Sequence, residues 1–343
     1  MRISKLRATT AEWMSAYPWH YGRSIPSTGP ILGVDLLAGG APFGLDVFEL
    51  VRHGVAQNPN LVVVGAPANG KSALVKQMLW WMAGAFGLRF AATDVKGEYA
   101  PLAAALGVPV GALHPGGEVS VNPLADPAGR LEFVSALAAL CVDRPLAPVE
   151  AMALAASVKV LPERPLLRDL LGVLREMPAA VCDELVMTRS QALEATQVLR
   201  FGIGELLTGA HAGMFDGHTT VDSTAMQRGF VIDLSGCGSD DRALRLAMLA
   251  GMRAVEQLVS RHDSPTLVVN DESWRLVTNL DTARWMQHSF KLGRQRGQAT
   301  MLVLHRLSDL GAQTDGAAAH IGNRLVGDAD IRILFRHGDL NDA

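Results

Sequence analysis

Eight consecutive residues, Gly65-Ala66-Pro67-Ala68-Asn69-Gly70-Lys71-Ser72, have the spacing G-x-x-x-x-G-K-[ST]. That spacing suits one kind of chemistry, the cradling of nucleotide phosphates by backbone. Gly65 and Gly70 let the chain close around phosphate oxygens, so that amide groups and the positive end of the following helix point inward. Lys71 reaches the β- and γ-phosphates and the Ser72 hydroxyl binds Mg²⁺. The phosphate-binding set is thus Gly65, Ala68, Asn69, Gly70, Lys71, Ser72 and Ala73. A glycine-rich turn carrying a chance lysine is the plainer alternative. The apolar run before the loop and the helical pattern after it argue against that alternative.

A phosphate cradle needs a partner that holds the metal and orients water. The apolar run 266–270 ends in Asp271-Glu272, which assigns Mg²⁺ contact to Asp271, through water, and polarisation of the attacking water to Glu272. The expectation is that the glycine cradle and this acidic pair meet on adjacent strand ends. Farther on, 282–308 carries Arg284, Lys291, Arg294, Arg296 and Arg306 without one aspartate or glutamate. Such a patch stabilises a transferring phosphoryl group, in its own or a neighbouring subunit, or binds a nucleic-acid backbone; the plainer reading is a solvated helix end. Asp94, in Asp94-Val95-Lys96-Gly97-Glu98-Tyr99, either faces the nucleotide edge of the sheet or caps a turn.

The elements that position these residues follow from hydrophobic rhythm. A continuous apolar run at 61–64 is the pattern of a strand buried on both faces of a parallel sheet. A helix is expected over 71–85, then strands at 88–93, 108–113 and 119–121, the alternation of repeated βα units. Residues 127–212 lose the strand rhythm, carry leucine, alanine and methionine at helical spacing, and predict an all-helical insertion. Strands return at 230–234, 266–270, 300–304 and 331–335, with a helix over 241–260. The expected organisation is a lead-in over 1–58 with a few strands and no chemistry, a first part of an α/β core over 59–126, the insertion over 127–212, and the second part of the core over 213–343.

With 343 residues, 49% of them hydrophobic and 19% charged, the chain has enough material for a substantial core. A formal net charge of -3 gives no global attraction to nucleic acid or acidic membranes, so any such binding must come from a local patch. Cys141, Cys182 and Cys237 are odd in number and far apart. They read as buried thiols in a reducing compartment and not as a disulfide frame or zinc site. The longest uncharged stretch, 99–117, holds Pro101, Pro109 and Pro115, so no membrane-spanning helix is expected, nor is a signal peptide at the basic N-terminus.

Several segments together resemble the HerA/FtsK superfamily of motor ATPases, most closely the type IV secretion and conjugal transfer ATPases of the VirB/TraC kind. They are Asn58-Pro59-Asn60 before the loop, DVKGEY at 94–99, Val121-Asn122-Pro123-Leu124, the strand at 230–234, the Asp271-Glu272 pair and GRQRG at 293–297. The resemblance spans about residues 45 to 337. It implies a RecA-like P-loop fold with a mostly parallel sheet and a helical insertion. The cofactors it implies are ATP and Mg²⁺, and the assembly a homo-oligomeric, hexameric ring. The implied setting is cytoplasmic, peripheral on the inner face of the cell membrane, with type IV secretion or conjugation membrane components as partners and DNA as a further one. By position Arg294 matches the family's trans-acting arginine, and His305 stands where a γ-phosphate-sensing glutamine is usual. Against the family's usual extent, the chain is expected to lack the large N-terminal domain and the C-terminal end. The function implied is an ATP-hydrolysing motor for secretion or conjugative DNA transfer. A HerA-like DNA-processing translocase and a nucleotide-dependent scaffold with little turnover are the alternatives.

Overall fold

The computed structural model describes residues 29–36, 39–127, 129–220, 228–259, 264–277, 279–295, 297–305 and 316–335. An antiparallel hairpin, β1 (Ile31–Asp35) and β2 (Ala41–Gly44), leads into a short helix α1 (Val47–Arg52) that Asp46 caps through the amides of Phe48 and Glu49. Two strands thus lie among the described residues of the lead-in.

The remaining described strands form one parallel sheet: β3 (Leu61–Val64), β4 (Arg89–Asp94), β5 (Val110–Ala112), β6 (Gly229–Asp233), β7 (Thr266–Asp271), β8 (Gln298–Leu304) and β9 (Ile331–Leu334). Their order is β5-β6-β4-β7-β8-β3-β9, and every pair runs parallel. Alternating strand residues feed two cores. Leu61, Val63, Phe90, Val269 and Met301 pack against α2 (Lys71–Gly84) and α3 (Ala100–Leu106). Val62, Val64, Ile232, Val268 and Leu302 pack on the opposite face, against α10 (Asp241–Val259) and α11 (Leu280–Gln295). A strand covered on both faces needs apolar residues at every position, hence the unbroken Leu61-Val62-Val63-Val64 run.

Between β5 and β6 stand α4 (Arg130–Val142), α5 (Pro148–Lys159), α6 (Leu167–Glu176), α7 (Ala179–Leu185), α8 (Arg189–Ala195) and α9 (Gln197–Thr208). Their leucines and alanines continue the second core without a break. The last described helix, α12 (Gly316–Gly327), precedes β9. Residues 119–121, read from the sequence as a strand, are not one. Their amides go instead to Ala112 O (3.1 Å), Thr220 Oγ1 (2.9 Å) and Met214 O (2.8 Å), so the segment is tied down with no ladder.

Two asparagine-proline motifs that the sequence offered only as points of resemblance have structural work. Asn58 Oδ1 accepts from Asn60 N (3.1 Å), Asn58 Nδ2 donates to Asp328 O (3.0 Å) and Asn60 Oδ1 accepts from Thr300 N (2.9 Å), which pins the start of β3 to its neighbours on both sides. Asn122 Oδ1 accepts from Leu124 N (3.0 Å) and its Nδ2 donates to Pro165 O (3.0 Å), joining the loop after β5 to the helical insertion.

Candidate active site

At the carboxyl end of β3 the loop 65–70 turns into α2. Gly70 takes φ 92°, Ala68 takes φ 65°, and α2 begins with no side-chain cap and no acidic residue in its first turn. A helix start left open in this way presents amide donors and a positive dipole end to an anion. Lys71, 6% exposed, donates to the carbonyls of Gly65 and Ala66. Gly65 is required for a second reason besides the phosphate cradle. A Cβ there would stand 2.5 Å from the Phe335 Cβ, because β9 runs directly alongside.

The acidic pair lies at the end of β7, and β8 stands between β7 and β3. The cradle and the pair therefore are not on adjacent strands as expected. His305, the residue after β8, fills the gap: its Nδ1 lies 3.3 Å from Lys71 Nζ and its Nε2 lies 2.9 Å from Glu272 Oε1. Glu272, 4% exposed, takes φ 55°, a left-handed conformation uncommon for a side-chain-bearing residue. That turn aims its carboxylate at His305 and at Lys96, whose Nζ is 2.8 Å from the same Oε1. Lys71, His305, Glu272 and Lys96 thus form one connected chain along the carboxyl ends of four strands, the edge at which parallel sheets bind ligands.

A cleft of about 340 Å³ lies over this chain, lined by Gly70, Lys71, Ser72, Lys96, Glu98, Asp271 and His305 among others. Asp271 is 8% exposed and its Oδ1 accepts from the Glu272 amide (3.0 Å). Burial first and the neighbouring Glu272 second hold its carboxyl above the ordinary range, so a cation beside it would favour the ionised form. Burial works to lower Lys96, but its hydrogen bond to Glu272 and the charges of Glu272, Asp271 and Glu98 outweigh that and raise it. Hydroxyl and carboxylate oxygens from Ser72 and Asp271 are a donor set that suits Mg²⁺.

Sequence reasoning passed over Lys96 and Glu98. The signal was available, since both follow β4 within the same turn as Asp94. Asp94 itself is spent on that turn: Oδ1 accepts from Lys96 N (3.2 Å) and Glu98 N (3.1 Å), Oδ2 from Tyr99 N (2.7 Å). Of its two readings, the turn cap matches this geometry, and Asp94 does not line the cleft. Asn69 is exposed at the loop tip, its amide 3.4 Å from Ala66 O, and Ala73 lines the cleft. Arg294 has its backbone in the last turn of α11, ahead of β8, whereas His305 follows β8 at the cleft. The seven residues of β8 put about 20 Å between that end and the chain's own cleft. The Arg294 side chain and Arg296 lie outside the described residues, as does Arg306. Among the described helices none is long and apolar enough to cross a membrane.

No protein-family model and no curated protein sequence matches this chain. Solved structures do. VirB4 of Thermoanaerobacter pseudethanolicus superposes with a TM-score of 0.73 at 18% identity, covering 93% of this chain and 87% of that one. The plasmid coupling protein TrwB in complex with the non-hydrolysable ATP analogue ADPNP gives a TM-score of 0.58 at 16% identity, over 89% of this chain and 73% of that one. TrwB in complex with ADP and Mg²⁺ gives 0.56 at 15%, over the same shares. At such identities the likeness is one of fold: the chain has the RecA-like P-loop architecture of VirB4 and TrwB.

Proposed function

We propose that the protein is a Mg²⁺-dependent ATPase that powers type IV secretion or conjugative DNA transfer, working as a homo-oligomeric ring on the cytoplasmic face of the membrane. The observation that carries the catalytic half is the connected chain Lys71, His305, Glu272 and Lys96 at the open start of α2. The fold shared with VirB4 and TrwB supports the secretion and conjugation setting.

In this reading the amides at 70–73 and the Lys71 ammonium hold the β- and γ-phosphates. Ser72 and Asp271 would hold Mg²⁺, which when bound would neutralise charge on the phosphate oxygens. Glu272 orients water against the γ-phosphate and accepts its proton. His305, in touch with both Glu272 and Lys71, senses whether that phosphate is present, and Lys96 holds Glu272 against the cleft. The Arg294 backbone stands at the end of β8 opposite the cleft, which supports a role in the cleft of a neighbouring subunit.

Steady-state ATPase assays on the wild type, Lys71→Ala and Glu272→Gln test this reading. Turnover in the wild type with a loss of about 10²-fold or more in both variants is the expected result. Equal turnover in all three proteins removes the catalytic half.

A further inference from the structure

The catalytic groups all stand on one side of the phosphate loop, toward β8 and β7. A triphosphate gripped by that loop has its γ end on that side, so its sugar and base leave on the other, toward β9. There the surface changes character. An apolar groove of about 410 Å³ runs along β9, bounded by Leu32 and Phe43 of the hairpin, Leu74 of α2, and Ile331, Ile333 and Phe335. All six are partly buried side chains packed against the first core.

The groove adjoins the phosphate loop. Phe335 donates its amide to Val64 O (2.8 Å), the last residue of β3, and its ring Cε1 lies 3.7 Å from where a Gly70 Cβ would be. The Leu74 amide bonds Gly70 O (2.9 Å), so Leu74 stands one helical turn, about 6 Å, beyond the phosphate site. The hairpin is tethered to the same helix by the Gln77 amide nitrogen on Ile31 O (2.9 Å). Two charged residues also border the groove: Asp330 accepts from the amides of Gln57 (2.6 Å) and Asn58 (3.0 Å), and Arg332, between Ile331 and Ile333 on β9, is exposed.

Resting on the ATPase reading, we infer that this groove seats the base of the bound nucleotide, with Phe335 and Phe43 as its aromatic walls. Aromatic and aliphatic walls hold a flat heterocycle by contact area and ring geometry. Such walls do not read the edge of the ring, because discrimination needs a group left unpaired by the wrong ligand. The site therefore takes adenine and guanine nucleotides with similar affinity. The hairpin, which the sequence reading left without chemistry, becomes part of the binding site.

Calorimetric titration of the full chain with Mg-ATP, Mg-GTP and Mg-tripolyphosphate tests this, on the wild type, Phe43→Ala and Phe335→Ala. Phe43 does not border the phosphate loop, so its variant remains informative if Phe335→Ala disturbs Gly65. The inference expects ATP and GTP within about fivefold of each other, both weakened about tenfold in each variant, and tripolyphosphate unchanged in Phe43→Ala. It is overturned, with the ATPase reading intact, if wild type binds tripolyphosphate as tightly as ATP. The same holds if Phe43→Ala lowers the melting temperature but leaves ATP affinity alone, since the groove would then be filled by protein. A wild type that binds neither ATP nor tripolyphosphate overturns both readings together.

Discussion

On the inner side of the phosphate loop two lysines, three carboxylates and a histidine gather around one cleft; on its outer side, a groove of similar size is walled mainly by leucine, isoleucine and phenylalanine. The two sides teach how one loop can impose a direction on its ligand. Lys71, Asp271 and Glu272 on the inner side are nearly buried, and paired partners are the condition for keeping such charges out of water at tolerable cost. The outer side gains only by covering apolar surface, which is non-directional. A nucleotide fits this pair of surfaces in one orientation, with its charge inward and its base outward.

The largest effect that would break this contrast is a split in kinetic parameters. Glu272→Gln is expected to lower kcat about 10²- to 10⁴-fold with little change in KM. Phe43→Ala is expected to raise KM and leave kcat nearly alone, as loss of binding shared by ground and transition states does. Steady-state kinetics over a range of ATP concentration checks both, and parallel changes in the two variants would erase the distinction between the sides.

A smaller effect belongs to Lys96. Removal of one charged hydrogen bond to Glu272 in Lys96→Ala should reduce kcat about tenfold, with recovery in Lys96→Arg and no change in KM. A drop in thermal stability with kcat unaffected would make Lys96 a structural ion pair only.

The smallest effect concerns groups remote from both sides. Burial pushes the Cys141 thiol up to about 12 and the Cys237 thiol up to about 11. For each, the folded value exceeds the unfolded one, so the stability it contributes is complete below about 9 and is lost as pH rises toward 11 and 12. The three thiols, all buried, should resist iodoacetamide at pH 8 and react only once the chain is unfolded. Mass spectrometry of native and urea-treated protein reads this out.

What the sequence made legible follows the same division. The inner side was readable because its parts are local: a glycine-spaced loop after an apolar run, and two acids at the end of another. The positions of β3, β4, β7 and β8 were readable for a related reason, since strands covered on both faces leave continuous hydrophobic runs. The relations between strands were not. Periodicity speaks along the chain and not across it, so nothing at 300–304 announced that β8 would separate the acidic pair from the cradle. Nor did anything at 335 announce that a phenylalanine would rest on Gly65. Lys96 was missed because its partner is nearly two hundred residues away in sequence, brought close by the pairing of β4 with β7. The segment 119–121 misled because its alternating valines imitate a strand while its amides find side-chain and loop partners.

The most direct test of the central claim is a calorimetric titration of the Glu272→Gln protein with ATP in excess Mg²⁺ and again with the metal chelated. The account predicts one nucleotide bound per chain, intact at the end of the titration, with affinity that falls when Mg²⁺ is withdrawn. Absence of binding in both conditions, or binding indifferent to the metal, would contradict it.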